Sequence, residues 1–159
     1  RGEWAKYAGY TFGYNYPVFA KRVHDILTAV AYCHTQDMEA QQVHLVGLAG
    51  AGRWVAAARS LCYRTVDRAI VDTAGFRFAD IDRFGHPDFL PGGAKYLDLP
   101  GMLALGARGP LWLAGEGAQV PSLVTAAYEA TNSSDELMVF DGEVGDMAAS
   151  AVEWLLREN

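Results

Sequence analysis

Apolar positions along this chain recur with two different spacings. Phe19, Val23, Ile26, Leu27, Val30 and Cys33 return every three to four residues, which predicts an amphipathic helix over about 17–36. Pro17 suits the first turn of that helix, and Asn15 stands nearby as a cap. Val43, Leu45 and Val46 then form a short apolar run that predicts a strand at 43–46. Trp54, Ala57, Ala58 and Leu61 share one face of a helix over 53–62, and a second strand at 68–71 ends at Asp72. Residues 73–109 read as irregular, broken by Gly75, Gly85, Pro87, Pro91 and Gly92, with one short helix at 99–105. Strands at 110–114 and 136–140 flank a helix at 121–130. Asp146 is placed to cap a last helix with Met147, Ala151, Val152, Leu155 and Leu156 on its apolar stripe. Residues 1–16, rich in glycine and aromatics such as Tyr7, Tyr10, Phe12 and Tyr14, read as an irregular lead-in whose rings serve packing.

Strand and helix alternate, which predicts βαβ units joined by right-handed crossovers. The strands are continuous apolar runs, as expected where both sheet faces are covered. The expected fold is one α/β domain over residues 1–159. It is a three-layer α/β/α arrangement around a mainly parallel sheet of about four strands. Ligands of open parallel sheets sit beyond the carboxyl ends of the strands. Four segments therefore matter: 47–52, 72–78, 115–119 and 141–146.

The first of these is Gly47-Leu-Ala-Gly-Ala-Gly52, a glycine-rich turn between a strand and an Ala-rich helix. A nucleophile elbow has this layout, with a serine at the centre of a tight turn and small residues around it. Here the central residue is Ala49, which carries no hydroxyl. Four readings stay open: a turn kept for packing, a catalytic turn using other groups, a serine changed to alanine, or a ligand-binding turn. The last has a specific form, in which Gly47, Gly50 and Gly52 approach a dinucleotide and Asp72 meets a ribose hydroxyl, with Leu48 a further candidate binding residue. The glycine order is not that of the dinucleotide fingerprint, however.

Residues Gly13-Tyr-Asn-Tyr-Pro-Val-Phe-Ala-Lys-Arg-Val-His-Asp25, with the segment from His44 to Gly52, resemble the C-terminal half of α/β-hydrolase fold proteins. The likeness is to the acetyl-xylan-esterase and dienelactone-hydrolase branch, and it covers most of residues 17–157. It implies that the chain holds strands five to eight of an eight-strand sheet. Strands one to four, and the loop giving half of the oxyanion hole, would then be lacking. It also implies a nucleophile at Ala49, an acid near Glu116 and a histidine within 142–146, where none occurs. His24, His34, His44 and His86 all lie elsewhere. The expectation is an esterase relative with a degenerate triad and at most weak ester hydrolysis. Glu116 and Asp146 are the candidate remaining groups, and a small ester or acyl compound the ligand. Read without the resemblance, Glu116 is an exposed loop residue between two glycines. The backbone N–H of Gly50, at a helix start, could face an anion.

Composition adds exclusions. The net charge is −6, from 13 basic and 19 acidic residues, and no basic cluster is present, which argues against phosphate-driven nucleic-acid binding. No apolar run approaches the ~20 residues of a membrane span. Cys33 and Cys62 fall among apolar helix positions and read as small buried hydrophobes, and no zinc-type spacing occurs. Asp80, Asp82, His86 and Asp88 read as a solvated loop rather than a metal site. No cofactor is implied. The chain starts at Arg1 rather than Met, which suits a fragment or a product that has lost a leader. If strands one to four are missing, the strand carrying Val43 and Val46 is an open edge. The expected partner there is a second copy or a separate N-terminal half.

Overall fold

The computed structural model describes residues 4–38 and 40–157. Four strands, β1 (His44–Gly47), β2 (Arg68–Asp72), β3 (Leu111–Ala114) and β4 (Leu137–Val139), form one sheet in the order β1-β2-β3-β4. Every neighbouring pair is parallel, with Val46 opposite Ile70, Ile70 opposite Trp112, and Trp112 opposite Met138. Among the described residues six α-helices accompany them: α1 (Trp4–Tyr14), α2 (Val18–Cys33), α3 (Gly52–Cys62), α4 (Asp98–Leu105), α5 (Ser122–Ala130) and α6 (Met147–Leu155). The expected strand and helix positions hold to within a few residues, with one exception. Residues 4–14, read as irregular, form a helix. Tyr7, Tyr10 and Tyr14 follow helical spacing and are exposed, and the glycines at 9 and 13 masked that periodicity in the sequence.

The strand order makes the two faces of the sheet unequal. Right-handed crossovers in a sheet that advances in one direction put α3, α4 and α5 on the same side. The larger core lies there. It joins Val43, Leu45, Ala69, Val71, Leu111 and Leu113 to side chains of α2, α3, α4 and α5, among them Phe19, Val55, Leu99 and Tyr128. Alternate strand residues point the other way. Ile70, Trp112 and Ala114 form a smaller core with Ala151, Trp154 and Leu155 of α6, and Trp112 stacks on Phe140 at 5.1 Å between ring centres. Val46 lies on this thinly covered face at the β1 edge and is 48% exposed.

Two glycines bring α3 onto the sheet. A Cβ at Gly52 would stand 1.9 Å from the carbonyl oxygen of Asp72, and one at Gly47 would stand 2.8 Å from the Gly52 Cα. Only hydrogen fits at either place, so the first turn of α3 presses directly on the backbone of β2.

Further along α3, Arg59 is 3% exposed. Its Nη2 donates to the Gly109 carbonyl at 2.6 Å and to the Tyr128 hydroxyl at 3.1 Å. The guanidinium packs against Gly106, where α4 ends, so the negative end of that helix helps to hold the buried cation. Burial pushes the Tyr128 phenol up from its ordinary range, and the neighbouring Arg59 partly offsets this. Cys62, half-buried on the same helix, has its thiol pushed up by burial, with Arg59 pulling the other way. Neither cysteine is in a disulfide.

The segment between β2 and α4 is more ordered than its glycines and prolines suggested. It carries two short 3-10 turns, Phe78–Asp80 and Gly93–Tyr96. Asp88 lies buried rather than in a solvated loop. Its carboxylate accepts from Trp54 Nε1 at 2.8 Å, Arg53 Nη1 at 3.0 Å and Arg22 Nη1 at 3.3 Å, which ties the loop to α2 and α3. Asp98, at φ +56°, accepts from the backbone N–H groups of Phe78, Ala79 and Leu99 at 2.7–3.0 Å. Asp146 precedes α6 at the cap position, is exposed, and makes no side-chain capping bond, contrary to the expectation for it. Its own backbone N–H turns back to the Glu143 carbonyl in a 3-10 turn. Pro17 occupies the cap position of α2, likewise with no side-chain capping bond there.

The Gly52→Ala protein should lose about 4 kcal/mol or more, because backbone rather than a flexible side chain blocks the new methyl. Gly13→Ala, in α1 with open space around it, should be neutral or stabilising by up to about 1 kcal/mol. Urea unfolding of the two variants beside the parent protein checks both.

Candidate functional site

The four strand tips lie side by side because the strands are parallel and adjacent, and the first three are sharp turns. After β1 the chain passes through Ala49 at φ +49° and Gly50 at φ +90°. After β2 it repeats the device with Ala74 at φ +47° and Gly75 at φ +68°. After β3, Gly115 and Gly117 also have positive φ. Left-handed backbone at an alanine costs roughly 1–3 kcal/mol and persists only where surrounding structure imposes it. At Ala49 the imposing structure is the Gly47–Gly52 approach described above.

Ala49 is exposed at the apex of its turn, and Leu48 beside it packs into the smaller core. The Gly50 carbonyl accepts from Arg53 Nε at 3.0 Å. The same guanidinium lies 4.6 Å over the Phe76 ring and reaches Asp88. Arg53 thus fastens the β1 turn to the loop that follows β2.

Asp72, suggested as a ribose contact, serves inside the protein. Its residue is 8% exposed, and its Oδ1 accepts from the Ala74 N–H at 2.9 Å, which closes the turn after β2. A Cβ on Gly115 would stand 2.7 Å from that same oxygen. The carboxylate therefore stabilises the turn and faces the neighbouring strand tip at close range.

Glu116 is not an exposed loop residue. Its side chain is 3% exposed and makes a two-pronged ion pair with Arg77, one arm of it 3.0 Å from Arg77 Nη1 to Oε1. Such pairs combine charge and geometry and are among the stronger hydrogen-bonded contacts. Oε1 also accepts from the Thr73 hydroxyl at 2.6 Å. The hydrogen bond to Glu116 pushes the Arg77 guanidinium still higher than its usual range. Arg77 and Thr73 did not figure among the candidate residues. Thr73 had a usable signal, since it directly follows the strand that ends at Asp72. Arg77 had only its place in segment 72–78, because the fold alone brings it to Glu116, 39 positions away.

The structure does not assemble a triad. Glu116 is committed to Arg77 and Thr73 between the tips of β2 and β3. Asp146 stands exposed at the start of α6. A hollow of about 760 Å³ opens beyond β3 and β4, lined by Ala118, Gln119, Ser122, Thr125, Val139 and Asp141 among others. It includes neither Glu116 nor Asp146 and no histidine. His44 sits at the opposite end of β1 from the tips, and its buried Nδ1 has no partner. His34 Nε2 pairs with the Thr65 carbonyl at 2.7 Å, His24 Nδ1 lies 3.5 Å from the Thr28 hydroxyl, and His86 Nδ1 accepts from the Asp88 N–H. Among the described residues, no group of three or more His, Cys, Asp or Glu is placed to hold a metal ion.

These features define a small parallel α/β domain with strained strand tips closed by an ion pair. No protein-family model matches the chain, and neither the curated proteins nor the solved structures contain a match to it. Among the described residues, no helix is long and apolar enough to cross a membrane.

If the turn after β1 stores backbone strain at Ala49, Ala49→Gly should stabilise the protein by about 1 kcal/mol. Thermal unfolding followed by circular dichroism tests this, and an unchanged or lower midpoint contradicts it.

Proposed function

We propose that this chain is an α/β-hydrolase-like domain of esterase type that no longer carries out acyl transfer and acts through binding and assembly. The observation that carries the reading is Ala49, at positive φ on an exposed strand-to-helix turn. It occupies the place of a serine nucleophile without its hydroxyl. Two further features support it. The carboxylate at the acid position, Glu116, meets an arginine where a triad would have it orient a histidine. None of the four histidines bonds a side chain at the strand tips. An acyl-enzyme route needs both an attacking atom and a base to take its proton. At Ala49 the chain offers no hydroxyl, and no histidine stands beside it.

Assembly follows from the sheet. Among the described residues β1 pairs with β2 alone, and its outer edge carries unpaired backbone groups beside the exposed Val46. Such an edge recruits another strand. In this reading β1 pairs with a second copy in a twofold arrangement, or with a separate chain supplying the preceding strands.

Hydrolysis of p-nitrophenyl acetate by the purified protein should not exceed that of a heat-denatured control. Ala49→Ser should remain unlabelled by a fluorophosphonate probe, because the restored hydroxyl would lack a base. Labelling of that variant, or turnover by the parent protein, contradicts the reading.

Light scattering of the isolated chain should show a dimer whose population grows with concentration. A monodisperse monomer throughout the series contradicts pairing of two copies through β1 and leaves a separate chain as the partner.

A further inference from the structure

The helical layer holds a cavity that the strand tips do not share. Its volume is about 440 Å³, inside the roughly 300–1,000 Å³ typical of small-molecule sites. One wall is a stripe of α2 formed by Phe19, Val23 and Leu27. Facing it are Ala57 of α3, Met102 of α4 and Leu90 of the preceding loop.

Several wall residues are small, and packing behind the wall keeps two of them glycine. A Cβ on Gly93 would stand 2.7 Å from the Phe78 ring, and one on Gly101 would stand 2.4 Å from the Tyr96 carbonyl oxygen. Local packing therefore fixes both glycines. Ala20 and Ala57 leave the remaining room. At the mouth, Leu61, Tyr96 and Leu105 are each about 70% exposed. A gathering of large exposed apolar side chains around a concavity marks a binding site rather than ordinary surface.

The charges at the mouth restrict the ligand further. No carboxylate lines the cavity. His24 lies on the wall, and the Lys95 ammonium rests 5.3 Å from the ring centre of Tyr96 at the opening. An apolar body therefore fits the interior, and an anionic head fits the rim in preference to a cationic one.

We infer that this cavity binds a monocarboxylic acid with an aliphatic chain, the chain lying between α2, α3 and α4 and the carboxylate at the rim by Tyr96, beside Lys95. The inference rests on the cavity alone and is independent of the reading of the strand tips.

Titration calorimetry of the full chain with decanoate, decanol and decyltrimethylammonium, kept below their micelle thresholds, tests it. Decanoate should bind saturably at one site, and the ammonium compound at least about fivefold more weakly. Ala57→Leu and Ala20→Trp each fill the cavity from a different helix and should weaken decanoate about tenfold. Each variant is first checked for a cooperative thermal transition. With both walls tested separately, a folding failure at one position leaves the other as the test. Lys95→Glu should weaken decanoate and leave decanol unchanged. Absence of saturable binding overturns the inference, as does binding indifferent to whichever cavity-filling variants fold. Equal affinity for the ammonium compound also overturns it. So does a dimer that both filling variants convert to monomer, which would make the cavity a contact between copies.

Discussion

The contact on which this structure turns is the approach of α3 to the backbone of β2 at Gly52. No side chain beyond hydrogen fits between that position and the Asp72 carbonyl. Because α3 starts flush against the sheet, the turn leading into it is short, and its apex, Ala49, is forced to positive φ. The same contact sets the height of Val55, Ala56 and Ala58 in the main core and of Arg59 against α4 and α5. Strain at the apex and burial along the helix have one cause.

Carboxylates then organise what the sheet leaves irregular. Asp88 draws the loop after β2 onto α2 and α3 through Arg22, Arg53 and Trp54. Asp98 gathers three backbone N–H groups where two short helical segments meet. Glu116 binds Arg77 and Thr73 across the tips of β2 and β3. A buried carboxylate deprived of these partners would carry a desolvation cost, so each also selects one arrangement of its loop over others. Their commitment to structure has a chemical consequence. Carboxylates held by arginines and backbone amides are not free to orient an imidazole, and none of the four histidines bonds one of them through its side chain.

The two sheet faces divide the remaining roles. Sequential parallel strands put nearly all helices on one side, where a large core and an apolar cavity form between them. On the opposite side α6 covers Ile70, Trp112 and Ala114 together with Leu48 and Phe140, and Val46 remains half exposed at the edge. Surfaces open to association therefore lie at the β1 edge and at the cavity mouth.

Much of the fold was legible in the residues themselves. Apolar runs such as Ala69-Ile70-Val71 and the helical spacing of Phe19, Val23 and Val30 are local patterns, and local patterns survive in one dimension. The glycine-rich turn at 47–52 was legible for the same reason, since a strand, a tight turn and a helix are contiguous. The helix at 4–14 was obscured because its glycines and aromatics resemble loop composition. What the chain alone left open was every pairing across distance. Glu116 looked exposed because flexible glycines flank it, and its burial depends on Arg77, 39 positions away. Asp88 looked solvated because its partners lie 34 to 66 positions back. Local periodicity thus determined the elements and their order. Tertiary packing decided which charges were buried, which turns were strained and where a cavity remained, because those outcomes depend on atoms meeting from segments that have no fixed spacing in the sequence.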